Sequence, residues 1–300
     1  MRHVVLSGIK KLPNLTRVNL TPENGTSALS LEDVKQLMEA VPAVVFDFTF
    51  DFYGTKLSTA DEEVHIKNTK IGNEGEQNVR NALDLLKNCK RFVLENCGVS
   101  NETMAKLRDD YRDRTKIVWR VNYGKGTIMT DAVVVRAVYD LVDDNCDNLK
   151  YLEKVRYMDL GHNEYLDACD FVSGMKSLEY VIISGAPIKS LEPFRNCKNL
   201  KFLELDWSPV KDLTPLKGCT ALEDLNLGNT FADFAPIKEM TWLKNVYMIL
   251  RGGGGLVGQA IPDARVITSA DPEAATVGYG WRRLPNYYDM RDCLNVPYMN

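Results

Sequence analysis

The side chains best suited to catalysis or metal binding are few and scattered in this sequence. The three histidines, His3, His65 and His162, lack the H-x-x-x-H spacing that brings two rings to one face of a helix to bind zinc. The motifs G-x-S-x-G, G-K-S/T and H-E-x-x-H do not occur. Carboxylates are plentiful, but spacing does not single out an acid–base pair. We therefore predict that the protein is not an enzyme and uses no metal and no cofactor.

A glycine-rich stretch, Gly253-x-Gly255-x-x-Gly258, formally matches the dinucleotide-binding fingerprint. That fingerprint binds a pyrophosphate only at the start of a helix within a βαβ unit. The sequence around it shows no βαβ pattern, and no amphipathic helix opens at Gly258. We expect a flexible loop at this place.

The seven cysteines are odd in number and contain no C-x-x-C pair. Cys197 and Cys219 each follow the opening leucine of a repeat by 19 residues. This placement predicts small buried hydrophobic side chains rather than disulfides or metal ligands. The odd count favours a reducing setting or the exterior of an anaerobe.

A repeat in the second half of the chain must position any functional residue. Copies of L-x-x-(L/V)-x-(L/I/M) begin at Leu178, Leu200, Leu222 and Leu243, in steps of 22, 22 and 21 residues, and a fifth copy with valine and methionine in place of leucine begins 23 residues upstream at Val155. A period in this range with this opening predicts a leucine-rich-repeat solenoid. Because side chains alternate along a strand, the fourth and sixth positions of each copy should face inward. The third, fifth and seventh positions should face outward.

The segments between these strands carry Pro193, Pro215 and Pro236, which prevent long helices, so turns or 3-10 segments are expected there. The motif D-L-x-P-L at 212–216 resembles the short repeats of internalin-type bacterial proteins. The asparagine that usually follows the strand occurs at Asn163. The resemblance implies a recognition solenoid from a bacterial surface or secreted protein.

The first half contains a second periodicity, of 70 residues. Ser30 matches Ser100, and the Tyr-Gly pair at 53–54 matches the pair at 123–124. We interpret this as a duplicated unit of helix, strand, turn and strand, in which Ser30 caps the first helix. The alternating phenylalanines of 46–52 predict one strand, and 92–99 predicts a repeat strand.

The whole chain is expected to be one continuous α/β leucine-rich-repeat solenoid with a parallel sheet on its concave side. Residues 1–150 form longer irregular repeats with helices, 151–250 form regular repeats, and 251–300 form a loop and a C-terminal cap over the open end. Residues 3–6 look like part of a strand, so the chain begins inside the pattern and we expect it to be a fragment. The chain resembles uncharacterised leucine-rich-repeat proteins of gut Clostridia. The resemblance lies in the aromatic-rich C-terminal segment, the LGHN of the first short repeat and the Tyr-Gly units.

Outward strand positions supply the candidate binding face. Aromatic side chains at third positions should stack about 4.8 Å apart and lie exposed beside carboxylates, which favours a basic or hydroxyl-rich ligand. Alternatively, tyrosine and phenylalanine are present only because they pack well across strands. The predicted ligand-binding residues of the concave face are Tyr157, Asp159, Tyr180, Phe202, Glu204, Asp206, Trp207, Asp224, Asn226 and Tyr247.

Composition limits the partners. The formal net charge of −4 gives no electrostatic case for nucleic acid, and no apolar run reaches the roughly 18 residues that span a bilayer. The N-terminus shows no signal peptide. We predict a non-catalytic module that binds a protein or a glycan, with an intracellular scaffold and the targeting part of a larger enzyme as alternatives. The compartment is left open, although the resemblance implies an extracellular or cell-surface location.

Overall fold

The computed structural model describes residues 2–21, 29–249, 253–271 and 279–295 of the chain. Its contacts divide into two compact units, Met1–Arg120 and Val121–Asn300. Both units are built from parallel strands that recur at intervals typical of leucine-rich repeats.

The first unit carries helices on the connections between its strands. The strands are β1 Arg17–Asn19, β2 Val45–Asp47, β3 Thr49–Phe52, β4 Thr55–Ser58, β5 Glu63–Lys67, β6 Arg91–Glu95 and β7 Lys116–Tyr123. The parallel pairs are β1 with β2, β5 with β6 and β6 with β7, whereas β3 and β4 form an antiparallel hairpin. β7 begins in this unit, and its last three residues belong to the second. The helices are α1 Arg2–Lys10, α2 Leu31–Ala40, α3 Glu76–Leu85 and α4 Asn101–Tyr111.

Serine caps begin the two helices of the proposed duplication. The Asp33 amide donates to Ser30 Oγ at 3.1 Å, and the Thr103 amide donates to Ser100 Oγ at 3.2 Å. Each cap satisfies an amide that the first helical turn leaves without a carbonyl partner. The helix and strand order after Ser30 recurs after Ser100, while the duplication itself stays a prediction.

Two sequence predictions for the first unit are wrong. Residues 3–6 lie in helix α1 and not in a strand. The phenylalanines of 46–52 belong to two strands rather than one, because β2 pairs with β1 whereas β3 turns back onto β4. Phe48 lies between the two strands, and its amide donates to Thr59 Oγ1 at 3.0 Å.

The second unit is a solenoid of short repeats. Its strands are β8 Gly126–Met129, β9 Val134–Arg136, β10 Tyr157–Asp159, β11 Tyr180–Ile182, β12 Phe202–Glu204, β13 Asp224–Asn226, β14 Asn245–Met248 and β15 Arg265–Thr268. Its helices are α5 Gly254–Ala260, α6 Tyr279–Arg282 and α7 Pro285–Cys293. The 3-10 segments are Asp143–Asn145, Asp147–Tyr151, Asp170–Gly174, Glu192–Phe194, Thr214–Gly218 and Ala235–Glu239. The last three contain the prolines from which turns or 3-10 segments were expected.

Strands β9 to β15 form one seven-stranded parallel sheet in sequence order. The pairing has a single register, in which Tyr157, Tyr180 and Phe202 lie side by side on neighbouring strands. The inward positions, such as Leu203 and Leu225, are fully buried, so the predicted inward phase is confirmed. The sheet begins at β9, before residue 151, and the continuity of all repeats into one solenoid stays a prediction.

The glycine-rich stretch after β14 contains a helix where a flexible loop was expected. Gly253 has a φ of 98° just before α5, a conformation that glycine adopts at little cost. A Cβ on Gly254 would lie 2.3 Å from Thr268 Cγ2, so this glycine lets the helix pack against β15. Residues 251 and 252 lie outside the described part of the chain. After α5 the chain forms β15, the last strand of the sheet.

The predicted asparagine position ties two repeats together. Asn163 is buried, and its Oδ1 accepts the amides of Asp140 at 2.7 Å and Leu141 at 2.8 Å. Its Nδ2 donates to the carbonyls of Ala137 at 2.6 Å and Leu160 at 2.8 Å. One side chain thereby satisfies four backbone groups at a sharp turn.

Replacing Asn163 by alanine should lower the free energy of unfolding by at least about 2 kcal/mol, because buried backbone groups lose their partners. Urea denaturation measures this loss. Asn199→Ala is the control, since the exposed Asn199 makes a single bond to the Lys176 carbonyl at 2.9 Å and should cost under about 1 kcal/mol. Equal losses in the two variants would contradict the bonding described for Asn163.

Candidate functional site

The predicted face brings its aromatic side chains together as the register requires. The rings of Tyr157 and Tyr180 stack with centroids 5.0 Å apart and planes 9° apart, and Phe202 lies 6.5 Å beyond Tyr180. Parallel pairing sets this order, because third positions of successive repeats are direct neighbours in the sheet. We call the outward side of β10 to β15 the aromatic face.

The aromatic face is covered and not exposed, which corrects our expectation. Helices α6 and α7 lie on it, and the ring of Trp281 packs 4.6 Å from that of Phe202, which is 0% exposed. The covering side chains recur every three or four residues, so the segment presents one apolar side. They are Trp281, Leu284, Tyr287, Met290 and Leu294.

This arrangement also corrects the predicted cap. We expected the aromatic C-terminal segment over the open end of the solenoid, and residues 279–295 lie on the sheet instead. The physical reason is a large apolar surface: a row of aromatic rings in contact with water would be costly, and the segment removes it from solvent. We call residues 279–295 the strap.

Polar groups of the aromatic face bond directly to the strap. Trp281 Nε1 donates to Glu204 Oε2 at 2.6 Å, while Ser184 Oγ donates to Glu204 Oε1 at 2.7 Å. Asn286 Nδ2 donates to Asp224 Oδ2 at 2.9 Å. These bonds fix the position of the strap on the sheet, since apolar packing alone has little directionality.

Three carboxyl groups lie beneath the strap, and loss of water raises the pKa of each. Desolvation is the main cause for Asp159, Glu204 and Asp224. For Asp159, the amide of Gly161 and the charges of Arg136, Arg291 and His162 act against the increase. For Glu204, its bonds to Ser184 and Trp281 and the charge of Arg282 oppose it, while Asp206 reinforces it. For Asp224, Asn245, Asn286 and Lys244 oppose the increase and Glu223 adds to it.

The remaining predicted residues separate into buried and exposed ones. Tyr247 and Asn226 are buried, the former with its ring 6.1 Å from Trp281 and the latter with Oδ1 accepting the Gly228 amide at 2.8 Å. Asp206 is partly exposed and accepts from Asn229 Nδ2 at 3.0 Å. Trp207, by contrast, is 67% exposed.

A second row of residues follows the strands, at the eighth position of each repeat. Its members have left-handed backbones with φ between 51° and 71°, and each amide donates to a carbonyl of the next repeat, extending the ladder past the strand ends. His162 bonds to Ser184 O at 2.7 Å and Trp207 to Gly228 O at 3.1 Å. The row consists of Tyr139, His162, Gly185, Trp207 and Asn229.

The aromatic members of this row are exposed. Tyr139 and Trp207 are each 67% exposed, and the Tyr139 ring stacks on exposed His162 at 4.8 Å with planes 9° apart. We call Tyr139, His162 and Trp207 the aromatic ridge. Sequence reasoning noted Trp207 but missed the row. The available signal was Gly185 and Asn229, residue types that tolerate positive φ, at the same repeat position.

In the first unit, strands β5 to β7 carry charged side chains on one side of their sheet. Glu95 accepts from His65 Nε2 at 3.0 Å and from Arg120 Nε at 2.8 Å, with Lys67 Nζ at 3.4 Å. The His65 bond is the largest cause that lowers the pKa of Glu95. This surface is a set of mutually paired surface charges, which contribute little energy individually.

The thiols at the predicted repeat position are buried, as expected. Burial raises the pKa of Cys197 to about 11 and that of Cys219 to about 12, so both are neutral at physiological pH. In the described ranges there is no group of three or more His, Cys, Asp or Glu placed to hold a metal ion. Nor does this part of the chain contain a helix long and apolar enough to cross a membrane.

Phe202→Ala should lower the free energy of unfolding by about 3–5 kcal/mol, because a fully buried ring would leave a cavity between sheet and strap. Trp207→Ala, a change of similar size at an exposed position, should cost under about 0.5 kcal/mol. Chemical denaturation of both variants checks the correction to the exposed face. A Phe202→Ala protein as stable as the Trp207→Ala protein would show that the strap does not cover the ring.

The raised pKa of Glu204 makes its contribution to stability depend on pH. The folded state holds the proton more tightly than the unfolded state, so this contribution is complete below the ordinary carboxyl pKa of about 4 and is lost as pH rises through the folded value. Glu204→Gln keeps an acceptor for Trp281 and cannot ionise. The stability of this variant relative to the original should therefore increase from pH 4 to pH 8. A difference that is constant over this range would contradict a desolvated carboxyl.

No protein-family model and no curated protein sequence matches this chain. Among solved structures it is similar to an internalin (inlF) from Listeria monocytogenes, with 15% identity, a TM-score of 0.40 and coverage of 65% of this chain and 54% of that one. Internalin C2 of the same organism has 17% identity and a TM-score of 0.36, with coverage of 76% of this chain and 83% of that one. A leucine-rich-repeat protein from Leptospira interrogans has 19% identity and a TM-score of 0.41, with coverage of 61% of this chain and 49% of that one.

The match extends over only about half the length of the first and third of these structures, 54% and 49% respectively. The resemblance to proteins of gut Clostridia stays a prediction. The fold itself follows from features already described: repeats of 20 to 23 residues, seven parallel strands in one register, and 3-10 segments between them. The second unit therefore has the leucine-rich-repeat solenoid fold.

Proposed function

We propose that the protein is a non-catalytic recognition module that binds a protein partner through the aromatic ridge. The observation that carries this proposal is the 67% exposure of both Tyr139 and Trp207 on a backbone that is fixed by interstrand hydrogen bonds. Large aromatic side chains that stay exposed while a neighbouring row is buried favour a contact made with another molecule.

The ridge is pre-organised for such a contact. Its left-handed residues are held by amide bonds to the next repeat, so the rings lose little backbone freedom on binding. Tyrosine and tryptophan combine a large apolar area with a polar edge, and they dominate the energy of many protein interfaces.

Gly185 leaves a position without a side chain between His162 and Trp207. A Cβ there would lie 3.1 Å from His162 Nδ1, so a larger residue would push against the imidazole. The absence of a side chain at Gly185 therefore leaves room for the His162 ring in the ridge.

Carboxylates flank the ridge in sequence. Asp140 follows Tyr139, Asp206 precedes Trp207, and Glu164 lies two residues beyond His162. Acidic groups beside exposed aromatic rings favour arginine or lysine, which pair with carboxylates and also lie over aromatic faces. A partner segment rich in basic residues is therefore the expected ligand, and a glycan is the competing possibility.

The compartment of this interaction is part of the proposal and has its own test. A bacterial surface or secreted parent, an intracellular scaffold and the targeting part of a larger enzyme all remain compatible with a recognition module. The gene sequence upstream of this chain separates them, since an exported parent carries a signal or anchor and an enzyme carries a further domain.

The double variant Tyr139→Ala/Trp207→Ala should capture at least about tenfold less partner, because interface anchors of this kind commonly contribute 2 kcal/mol or more. Capture from bacterial and host extracts is quantified by mass spectrometry, beside a glycan array. Leu256→Ala is the matched control, since Leu256 is 70% exposed on helix α5 and lies outside the ridge. Equal capture by the ridge variant and the control would refute the ridge as the contact, and ridge-dependent glycan binding would replace the protein by a glycan.

A further inference from the structure

We propose that the strap is a detachable occupant of the aromatic face, and that this face accepts an amphipathic helix from a partner when the strap leaves. The face would then be a helix-binding groove that the chain's own C-terminal segment fills. This site is separate from the aromatic ridge.

The solenoid has an inner core that does not involve the strap. Inward residues of the strands, including Leu203 and Leu225, are fully buried together with Phe194 and Leu216 of the 3-10 segments. The ladder between strands β9 and β15 is likewise complete within the repeats. Removal of the strap would expose the outward side of the sheet and leave the inner core in place.

The strap binds the sheet as a helical ligand binds a groove. Its backbone bonds run within itself, as from the Leu284 amide to Trp281 O at 3.2 Å and from the Leu294 amide to Met290 O at 2.9 Å. Side chains make the contact with the sheet, through rings such as Trp281 and Tyr287 at 4.6 Å and 6.2 Å from Phe202. An apolar side presented at regular helical intervals is how amphipathic helices enter grooves on other proteins.

The contact contains charged groups that a permanent core normally lacks. Asp159 and Asp224 are buried, and Glu204 bonds to the strap through Trp281. Removing carboxyl groups from water costs free energy. Their bonds to the Trp281 indole and the Asn286 amide and the charges of two strap arginines offset this cost only in part, because the pKa of each carboxyl remains raised. The closed arrangement is therefore less favourable than apolar packing of the same area, which favours separation of the strap as a unit.

The same groups define the partner that would fit. Like the strap, it is an amphipathic segment of two short helices, with an aromatic N–H donor at the place of Trp281 and apolar residues at those of Leu284 and Tyr287. A lysine at the place of Asn286 would improve the fit, because it offers Asp224 a cation instead of a neutral amide. The sequence of the strap therefore describes the partner segment that would compete with it for the aromatic face.

Hydrogen exchange followed by mass spectrometry tests detachment in the full chain without any substitution. Amides of α7 should exchange at least about tenfold faster than those of β10 to β14, with a weaker dependence on denaturant, because a partial opening exposes less surface than global unfolding. Exchange of strap and strands at one rate and with one denaturant dependence would overturn the proposal.

Binding of a labelled peptide with the sequence of residues 279–295 tests the groove. Full-length Trp281→Ala protein should bind this peptide at least about tenfold more tightly than the original chain, because its own strap competes less. The Tyr288→Ala protein is the matched control, since Tyr288 is a more exposed aromatic residue of the strap and its loss should leave peptide affinity unchanged. A peptide carrying Asn286→Lys should bind more tightly than the original peptide.

Two results would overturn the groove. One is a Trp281→Ala protein whose strands keep their exchange protection but which does not bind the peptide. The other is equal peptide binding by the Trp281→Ala and Tyr288→Ala proteins. Neither result concerns the aromatic ridge, so neither contradicts the proposed function. In the same way, the capture experiment with the ridge variant does not test the groove.

Discussion

In-register parallel pairing between successive repeats is the constraint on which the second unit depends. It places equivalent residues side by side, so that each sequence position becomes a row across the sheet. Inward rows of leucine and valine are fully buried and supply the hydrophobic stabilisation. The pairing continues past the strands, because the amides of the left-handed residues donate to carbonyls of the next repeat. The loops at the strand ends are therefore also arranged in register.

This register has a cost on the outward side. Tyr157, Tyr180 and Phe202 occupy one row, and their rings stack into a continuous apolar surface that could not stay in water without penalty. The strap removes that surface from solvent, but it also removes water from the carboxyl groups of Asp159 and Glu204. The same alignment that builds the aromatic row therefore creates the desolvation that works against its cover.

Local patterns in the sequence predicted the features that local forces control. Strand phase follows from alternation, the start of α2 from Ser30, and the 3-10 segments from prolines such as Pro215. The cover over the aromatic face could not be predicted in this way, because it depends on contacts such as the Trp281–Glu204 bond, 77 residues apart in the chain. The one available signal was the regular spacing of Trp281, Leu284, Tyr287 and Met290, which marks an apolar side in need of a surface.

One aromatic row is buried and the other is exposed, and their positions in the repeat explain the difference. Third-position rings point out from the sheet and lie under the strap, whereas eighth-position residues adopt positive φ at the ends of the strands. Trp207 and Tyr139 remain largely exposed there, although glycine or asparagine would fit that backbone with less strain, as at Gly185 and Asn229. Large exposed rings at strained positions add little to the stability of the solenoid, and for this reason we assign them the proposed recognition role.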